Sequence, residues 1–259
     1  HRIFAAMRPN RIRELFAAKT CATMGWIALN STYSAELMGH AGFDTVVVDL
    51  QHGPLYLDAA VPLLQALSST PAMPMARCSD NNFFEINKLL DAGAYGIICP
   101  LIDTPEDAAR FVSACRYPPQ GTRSFGPTRG ILYGGADYAE HANDTILALG
   151  MIETAQGMAN LKAICETPGL DGVFIGPADL SFALGVKPPP RWTESPLTEA
   201  LDRIRDAAHA AGKMAGIFCG STQMAIDMKK RGFDIVMNGM DALMLRATAE
   251  QNVKAVRTA

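Results

Sequence analysis

The chain has 259 residues, 49% of them hydrophobic and 19% charged, with a formal net charge of −3. This balance suits a soluble globular fold with ample core, and the lack of a Lys/Arg field argues against a nucleic-acid partner. No apolar run approaches the roughly 18 residues of a membrane span, no signal peptide is evident, and His1 reads as a trimmed or tagged start.

Residues 10–19 are predicted as an amphipathic helix whose arginines, with Arg8, form a solvated face; a strand at 23–29 carrying Trp26 follows. A helix at 34–41 stops at Gly42, and the apolar strand Thr45–Asp49 ends in a carboxylate. Next come a helix at 57–67, a strand at Met73–Arg77 that ends on an arginine, and a helix at 82–91 stopped by Gly93. A strand at 95–99 is closed by Pro100, and the helix Pro105–Cys115 has Thr104 as its N-cap. Residues 116–140 break the rhythm, and long Pro/Gly-rich loops inside a compact domain are usually functional. A helix at 136–143, a strand at 146–153 and a helix at 158–165 resume the alternation. The strand Gly172–Ile175 runs into Gly176-Pro177-Ala178-Asp179 at a turn, and a helix at 180–184 follows. Beyond Pro188-Pro189-Pro190 lie a helix at 196–211, a strand at 214–219, a helix at 222–231, a strand at 234–237 and a terminal helix from 241.

Eight strands separated by helices must be parallel, and their near-continuous apolar character fits burial on both faces. The expected architecture is a single (β/α)8, or TIM, barrel spanning residues 1–259. An open doubly wound sheet would call for a Gly-x-Gly-x-x-Gly after an early strand, which is absent. The six cysteines (Cys21, Cys78, Cys99, Cys115, Cys165 and Cys219) form no Cys-x-x-Cys pair and read as reduced, in a cytoplasmic protein.

The C-terminal strand ends of such a barrel converge on one mouth, where chemistry sits. They carry Trp26, Asp49 with His52, Arg77, Glu153 and Asp179. Glu153 and Asp179 suit a hard divalent cation such as Mg²⁺ or Mn²⁺; a salt bridge inside the barrel is the bland alternative for Glu153. Asp49, three residues before His52, is expected to hold one ring nitrogen and make the other a general base. His40 and His141 fall on helix surfaces and His209 near a helix end. Arg77 is expected to stabilise the oxygen of an enolate, with a structural ion pair as its alternative. Arg123 suits either a distal acceptor carboxylate or a tie for the long loop.

These residues and the runs around them resemble the class II pyruvate aldolases of the HpcH/HpaI family. The resemblance covers nearly the whole chain and rests on Ala41-Gly42-Phe43-Asp44, Asp49-x-x-His52-Gly53, Arg116-Tyr117-Pro118-Pro119-x-Gly121-x-Arg123, Ile152-Glu153-Thr154 and Gly172 to Ser181. It implies a TIM barrel in which Glu153 and Asp179 ligate a divalent cation (Mg²⁺, Mn²⁺ or Co²⁺) chelated by pyruvate. The backbone around Gly176, Pro177 and Ala178 would receive the pyruvate carboxylate, Arg77 would sit on the keto oxygen, and Asp49 with His52 would shuttle the proton through metal-bound water. Trp26 and Phe218 would contact the acceptor aldehyde, and a hexamer would form with the last helix, from Asp241, swapped onto a neighbouring barrel. Relatives often carry Glu at the place of Gln51 and Gln at that of Met151, so a retuned pocket is expected.

The expected activity is cleavage or formation of 4-hydroxy-2-oxo acids, giving pyruvate and an aldehyde. A Schiff-base route is disfavoured because no lysine closes a strand; Lys213 begins one, at the wrong mouth. A lyase of the citrate-lyase β-subunit or malyl-CoA type would want a basic surface for coenzyme A, and a silent metabolite-binding barrel would have no need of a base.

Overall fold

Each strand is a short apolar run buried along nearly its whole length. They are β1 (Ala22–Ile27), β2 (Thr45–Asp49), β3 (Met73–Arg77), β4 (Gly96–Cys99), β5 (Leu147–Ile152), β6 (Gly172–Ile175), β7 (Met214–Phe218) and β8 (Ile235–Met240). Runs of this kind need cover on both faces, which parallel sheets obtain from crossover helices. In the computed structural model, which describes residues 6–187, 189 and 191–258, the strands pair in parallel in chain order and β8 closes on β1. The architecture is the predicted (β/α)8 barrel.

The first half of the helical layer is α1 (Arg11–Ala17), α2 (Thr32–His40), α3 (Leu57–Ser68), α4 (Phe83–Asp91) and α5 (Pro105–Cys115). Asn10, Ser31 and Asn82 cap α1, α2 and α4 with side-chain oxygens, and Thr104 forms a reciprocal capping box with Asp107 on α5. Gly42 and Gly93 take φ of 98° and 100°, the left-handed conformation that lets the chain leave α2 and α4 and turn into the next strand.

The second half departs from expectation in four places. The irregular stretch 116–140 contains a helix, α6 (Thr128–Gly134), and α7 (Tyr138–Thr145) starts two residues later than predicted. The helix expected at 158–165 is two short ones, α8 (Ala155–Ala159) and α9 (Leu161–Cys165), meeting at Asn160. α10 (Pro177–Ala183) begins at the proline, since a fixed φ and a missing N–H suit the first helical position. β8 continues to Met240 through Asn238-Gly239, because a register shift between Met24 and Gly25 keeps β1 paired with it. A side chain at Gly239 or Gly25 would meet the ring of Phe43. α11 (Leu197–Ala210) and α12 (Thr222–Lys230) complete the wall; Pro188 and Pro190 lie outside the described residues.

Two carboxylates, one half-buried and one buried, lock the frame. Asp171, before β6, accepts Arg13 (2.7 Å), Arg116 (2.7 Å) and the backbone N–H of Ala148 (2.7 Å). Asp241 accepts the backbone N–H groups of Ala28 (2.9 Å) and Leu29 (3.3 Å) and the hydroxyl of Ser34 (2.8 Å), fixing where α13 (Asp241–Thr258) leaves the barrel. Beyond Asp241 no residue of α13 is buried, and Leu245 and Val256 are 65% and 80% exposed. Among the described residues no helix is long and apolar enough to cross a membrane.

Candidate active site

Strand register decides which polar groups meet. β2 and β3 pair with Asp49 opposite Arg77. The Arg77 guanidinium donates from Nε to Asp49 Oδ1 (2.8 Å) and from Nη2 to Oδ2 (2.7 Å), with both residues buried. Burial pushes the Asp49 carboxyl up, but the hydrogen bonds and charge of Arg77 outweigh it and hold the group below the usual carboxylate range. The indole N–H of Trp26 adds to this lowering without closing a hydrogen bond of normal geometry.

The expected grip of Asp49 on the His52 ring is not made. Asp49 Oδ1 instead accepts the backbone N–H groups of Gln51 (3.1 Å) and His52 (3.4 Å). The carboxylate is committed to a bidentate arginine, the stronger partner, so it orders the turn that carries His52 while the imidazole stays at the exposed rim. Arg77 keeps Nη1 outside the ion pair, 4.0 Å from Met151 Sδ, and its guanidinium carbon lies 4.9 Å from the centre of the Trp26 ring.

β5 and β6 pair Ile152 with Ile175, so Glu153 and Gly176 follow side by side. A Cβ at Gly176 would collide with Glu153 Oε2, so the glycine makes room for that carboxylate. Glu153 is 3% exposed, and the one hydrogen bond it receives among the described residues is from the N–H of Leu101 to Oε1 (3.0 Å). Leu101 adopts φ of 53°, a left-handed conformation costly for a leucine. Burial raises the Glu153 pKa, the Leu101 N–H opposes this, and the charge of Asp179 raises it further. Asp179 stands in the first turn of α10, where no side chain caps the helix.

A buried carboxylate with an unbonded oxygen, opposed by a second carboxylate, is a donor set for a hard cation. Among the described residues no cluster of three or more His, Cys, Asp or Glu forms a ready cage. Two carboxylates with the remaining positions left to water and substrate fit Mg²⁺-type coordination, and the residues present fit the group.

A cavity of about 470 Å³ opens at this mouth. Trp26, Asp49, His52, Arg77, Gly176, Pro177, Ala178, Asp179 and Phe218 line it, and Glu153 lies behind Gly176. Arg123 is elsewhere. It is fully buried, donates to Tyr138 Oη (3.0 Å) and Asp91 Oδ1 (3.0 Å), and stacks 4.4 Å from the Tyr117 ring. The reading of Arg123 as a substrate ligand is therefore corrected: of its two roles, it has the partners for tying the loop. Phe174, Trp192, Met224 and Met240 also line the cavity and were not singled out from sequence. Inward alternation along β6 could have found Phe174; nothing in the pattern around Trp192 pointed to it.

Residues 22–247 match the family described as HpcH/HpaI aldolase/citrate lyase. The hydroxypyruvate/pyruvate aldolase of Rhizorhabdus wittichii is 41% identical over 96% of this chain and 99% of its own length. The 4-hydroxy-2-oxo-heptane-1,7-dioate aldolase of Salmonella dublin is 37% identical over 87% and 86% of the two chains. A crystal structure of an HpcH/HpaI aldolase/citrate lyase family protein from Burkholderia cenocepacia superposes with a TM-score of 0.87 at 29% identity, covering 95% of this chain and 98% of that one. A closed parallel barrel, carboxylates gathered at its C-terminal mouth, and similarity along almost the entire sequence agree: the chain belongs to the HpcH/HpaI aldolase/citrate lyase family.

Proposed function

We propose that the mouth of the barrel cleaves 4-hydroxy-2-oxo acids into pyruvate and an aldehyde, and runs the reverse addition. The enzyme is a carbon–carbon lyase of the aldolase type. The buried Glu153 carboxylate, whose room is made by Gly176 and which feels the charge of Asp179, is the observation that carries the residue-level account. Glu153 and Asp179 would hold a divalent cation (Mg²⁺, Mn²⁺ or Co²⁺), which would supply Lewis-acid polarisation of the keto group. Arg77, kept rigid by Asp49, offers its remaining Nη1 to the negative charge that develops on the keto oxygen. Backbone N–H groups of the first turn of α10, which lack intrahelical acceptors, receive the carboxylate of the 2-oxo acid.

His52 moves the proton. In cleavage its imidazole takes the proton of the 4-hydroxyl as the C3–C4 bond breaks, and the electron pair of that bond becomes the pyruvate enolate. The enolate then takes that proton at C3 from the imidazolium, leaving pyruvate and a neutral His52, while the aldehyde departs past Trp26 and Phe218. Asp49 acts as a positioning residue for Arg77 and for the turn of His52. The compartment is cytoplasmic, a reading supported by six unpaired cysteines. The assembly is a homo-oligomer, a hexamer as the resemblance implies, with α13 covering a neighbouring barrel; its exposed Leu245 and Val256 support this.

Exchange of the pyruvate methyl protons with solvent, followed by NMR, tests enolate formation without knowledge of the aldehyde. The expected result is exchange that depends on His52 and Glu153. Unchanged exchange in both His52→Ala and Glu153→Gln would overturn the assignment.

A further inference from the structure

The charged groups of the cavity, Asp49, His52, Arg77 and Asp179, stand on the side formed by β2, β3 and α10. The opposite side is apolar. Phe218 closes β7, Met224 comes from α12, Met240 closes β8, and Trp192 stands on the segment between α10 and α11. Trp26 joins these to the floor, stacked on Phe174 (5.8 Å between centres, 29°) and edge-on to Phe218 (5.8 Å, 83°).

Trp192 lies in a proline-rich loop yet is anchored at both ends. Its indole N–H donates to Asp227 Oδ2 on α12 (3.1 Å), and its carbonyl accepts Nη1 of Arg231 (3.3 Å). Asp227 is itself held through Oδ1 by Gln223 Nε2 (2.8 Å). Apart from Arg77, no lysine or arginine lines the cavity among the described residues. Arg77 is engaged by Asp49, and Arg231, behind the loop, is tied to Asp202 (2.7 Å) and to Thr198 Oγ1 (2.8 Å).

We infer that Trp192 forms a subsite for the apolar or aromatic substituent of the acceptor aldehyde, and selects such aldehydes over those ending in a carboxylate. This rests on the aldolase reading above. With the 2-oxo acid at the carboxylate side, the aldehyde substituent has to occupy the remaining, apolar half. A carboxylate desolvated there meets no free cation and loses its hydration without replacement, whereas an apolar group gains by leaving water. Asp227 is a positioning residue that holds the tryptophan plane against the cavity.

The test compares pyruvate addition to 4-methylpentanal and to 4-oxobutanoate, which differ by an isopropyl group in place of a carboxylate. Wild-type kcat/KM is expected to favour 4-methylpentanal by about tenfold or more, the range a hydrophobic subsite commands. Trp192→Ala and Asp227→Ala should shrink that ratio by raising KM for 4-methylpentanal, and Asp227→Asn, whose amide oxygen still accepts the indole N–H, should restore it. A wild-type preference for 4-oxobutanoate, or variants that weaken both aldehydes equally, would overturn the inference. Methyl-proton exchange of pyruvate in the wild type, measured alongside, separates the two levels. Exchange without aldehyde preference sinks the subsite alone; no exchange with the cation present sinks the aldolase reading and the subsite with it.

Discussion

At Asp49, two neighbours compete for one carboxylate, and a bidentate guanidinium outbids an imidazole. The spacing Asp-x-x-His showed that both side chains stand at one strand end, but not which partner the acid takes. That depends on the β2–β3 register, which sets Asp49 opposite Arg77 and which no single-strand pattern reveals. Replacing His52 by alanine is expected to cost about 10²–10⁴ in turnover, the usual share of a general base, while pyruvate binding measured by calorimetry persists. Retained turnover would remove His52 from the chemistry. Asp49 also makes a prediction about pH. Its folded pKa is depressed, so its contribution to stability is complete above the ordinary value of about 3.9 and is lost as pH falls through the lower folded value. Urea midpoints of the wild type should therefore fall more steeply between about pH 5 and 2 than those of Asp49→Asn; parallel profiles would contradict the assignment.

The elements were legible where burial dictates pattern. Val46 to Val48 and Val173 to Ile175 are apolar because both faces of a barrel strand are covered, and they read as strands without ambiguity. Legibility failed at Asn160, where one helical pattern hides a break, and in the loop carrying Trp192, which has no periodicity to read. Starting α10 at Pro177 moves Asp179 from a turn into the first helical turn, near enough for its charge to act on Glu153. Gly176→Ala is accordingly expected to displace the Glu153 carboxylate and weaken divalent-cation binding at least tenfold by calorimetry, while circular dichroism shows the barrel intact. Unchanged affinity would mean that the glycine is a turn residue only. At the opposite end of the barrel, Asp171→Ala would leave Arg13 and the buried Arg116 without their shared acceptor. Removing one partner of such a cluster costs about 3 kcal/mol or more, which chemical denaturation would read directly.

For the molecule as a whole, the barrel brings together groups from distant parts of the chain: Asp49, Arg77, Glu153 and Asp179 meet because four strand ends share one mouth. The fold was readable from the count of alternating elements, and the polar half of the site from what closes each strand. Of the apolar half only Trp26 and Phe218 were, since Met224, Met240 and Trp192 look like ordinary helix, strand and loop residues until the ring is closed. The central claim is that Glu153 and Asp179 together hold a cation without which pyruvate does not lose its methyl proton. The most direct measurement is the NMR rate of pyruvate methyl exchange in protein stripped with EDTA, before and after adding Mg²⁺, Mn²⁺ or Co²⁺. Exchange should vanish on stripping and return with the cation in the wild type, and should not return in Asp179→Ala. Exchange that continues at the same rate in stripped protein, or that is fully restored in Asp179→Ala, would contradict the account.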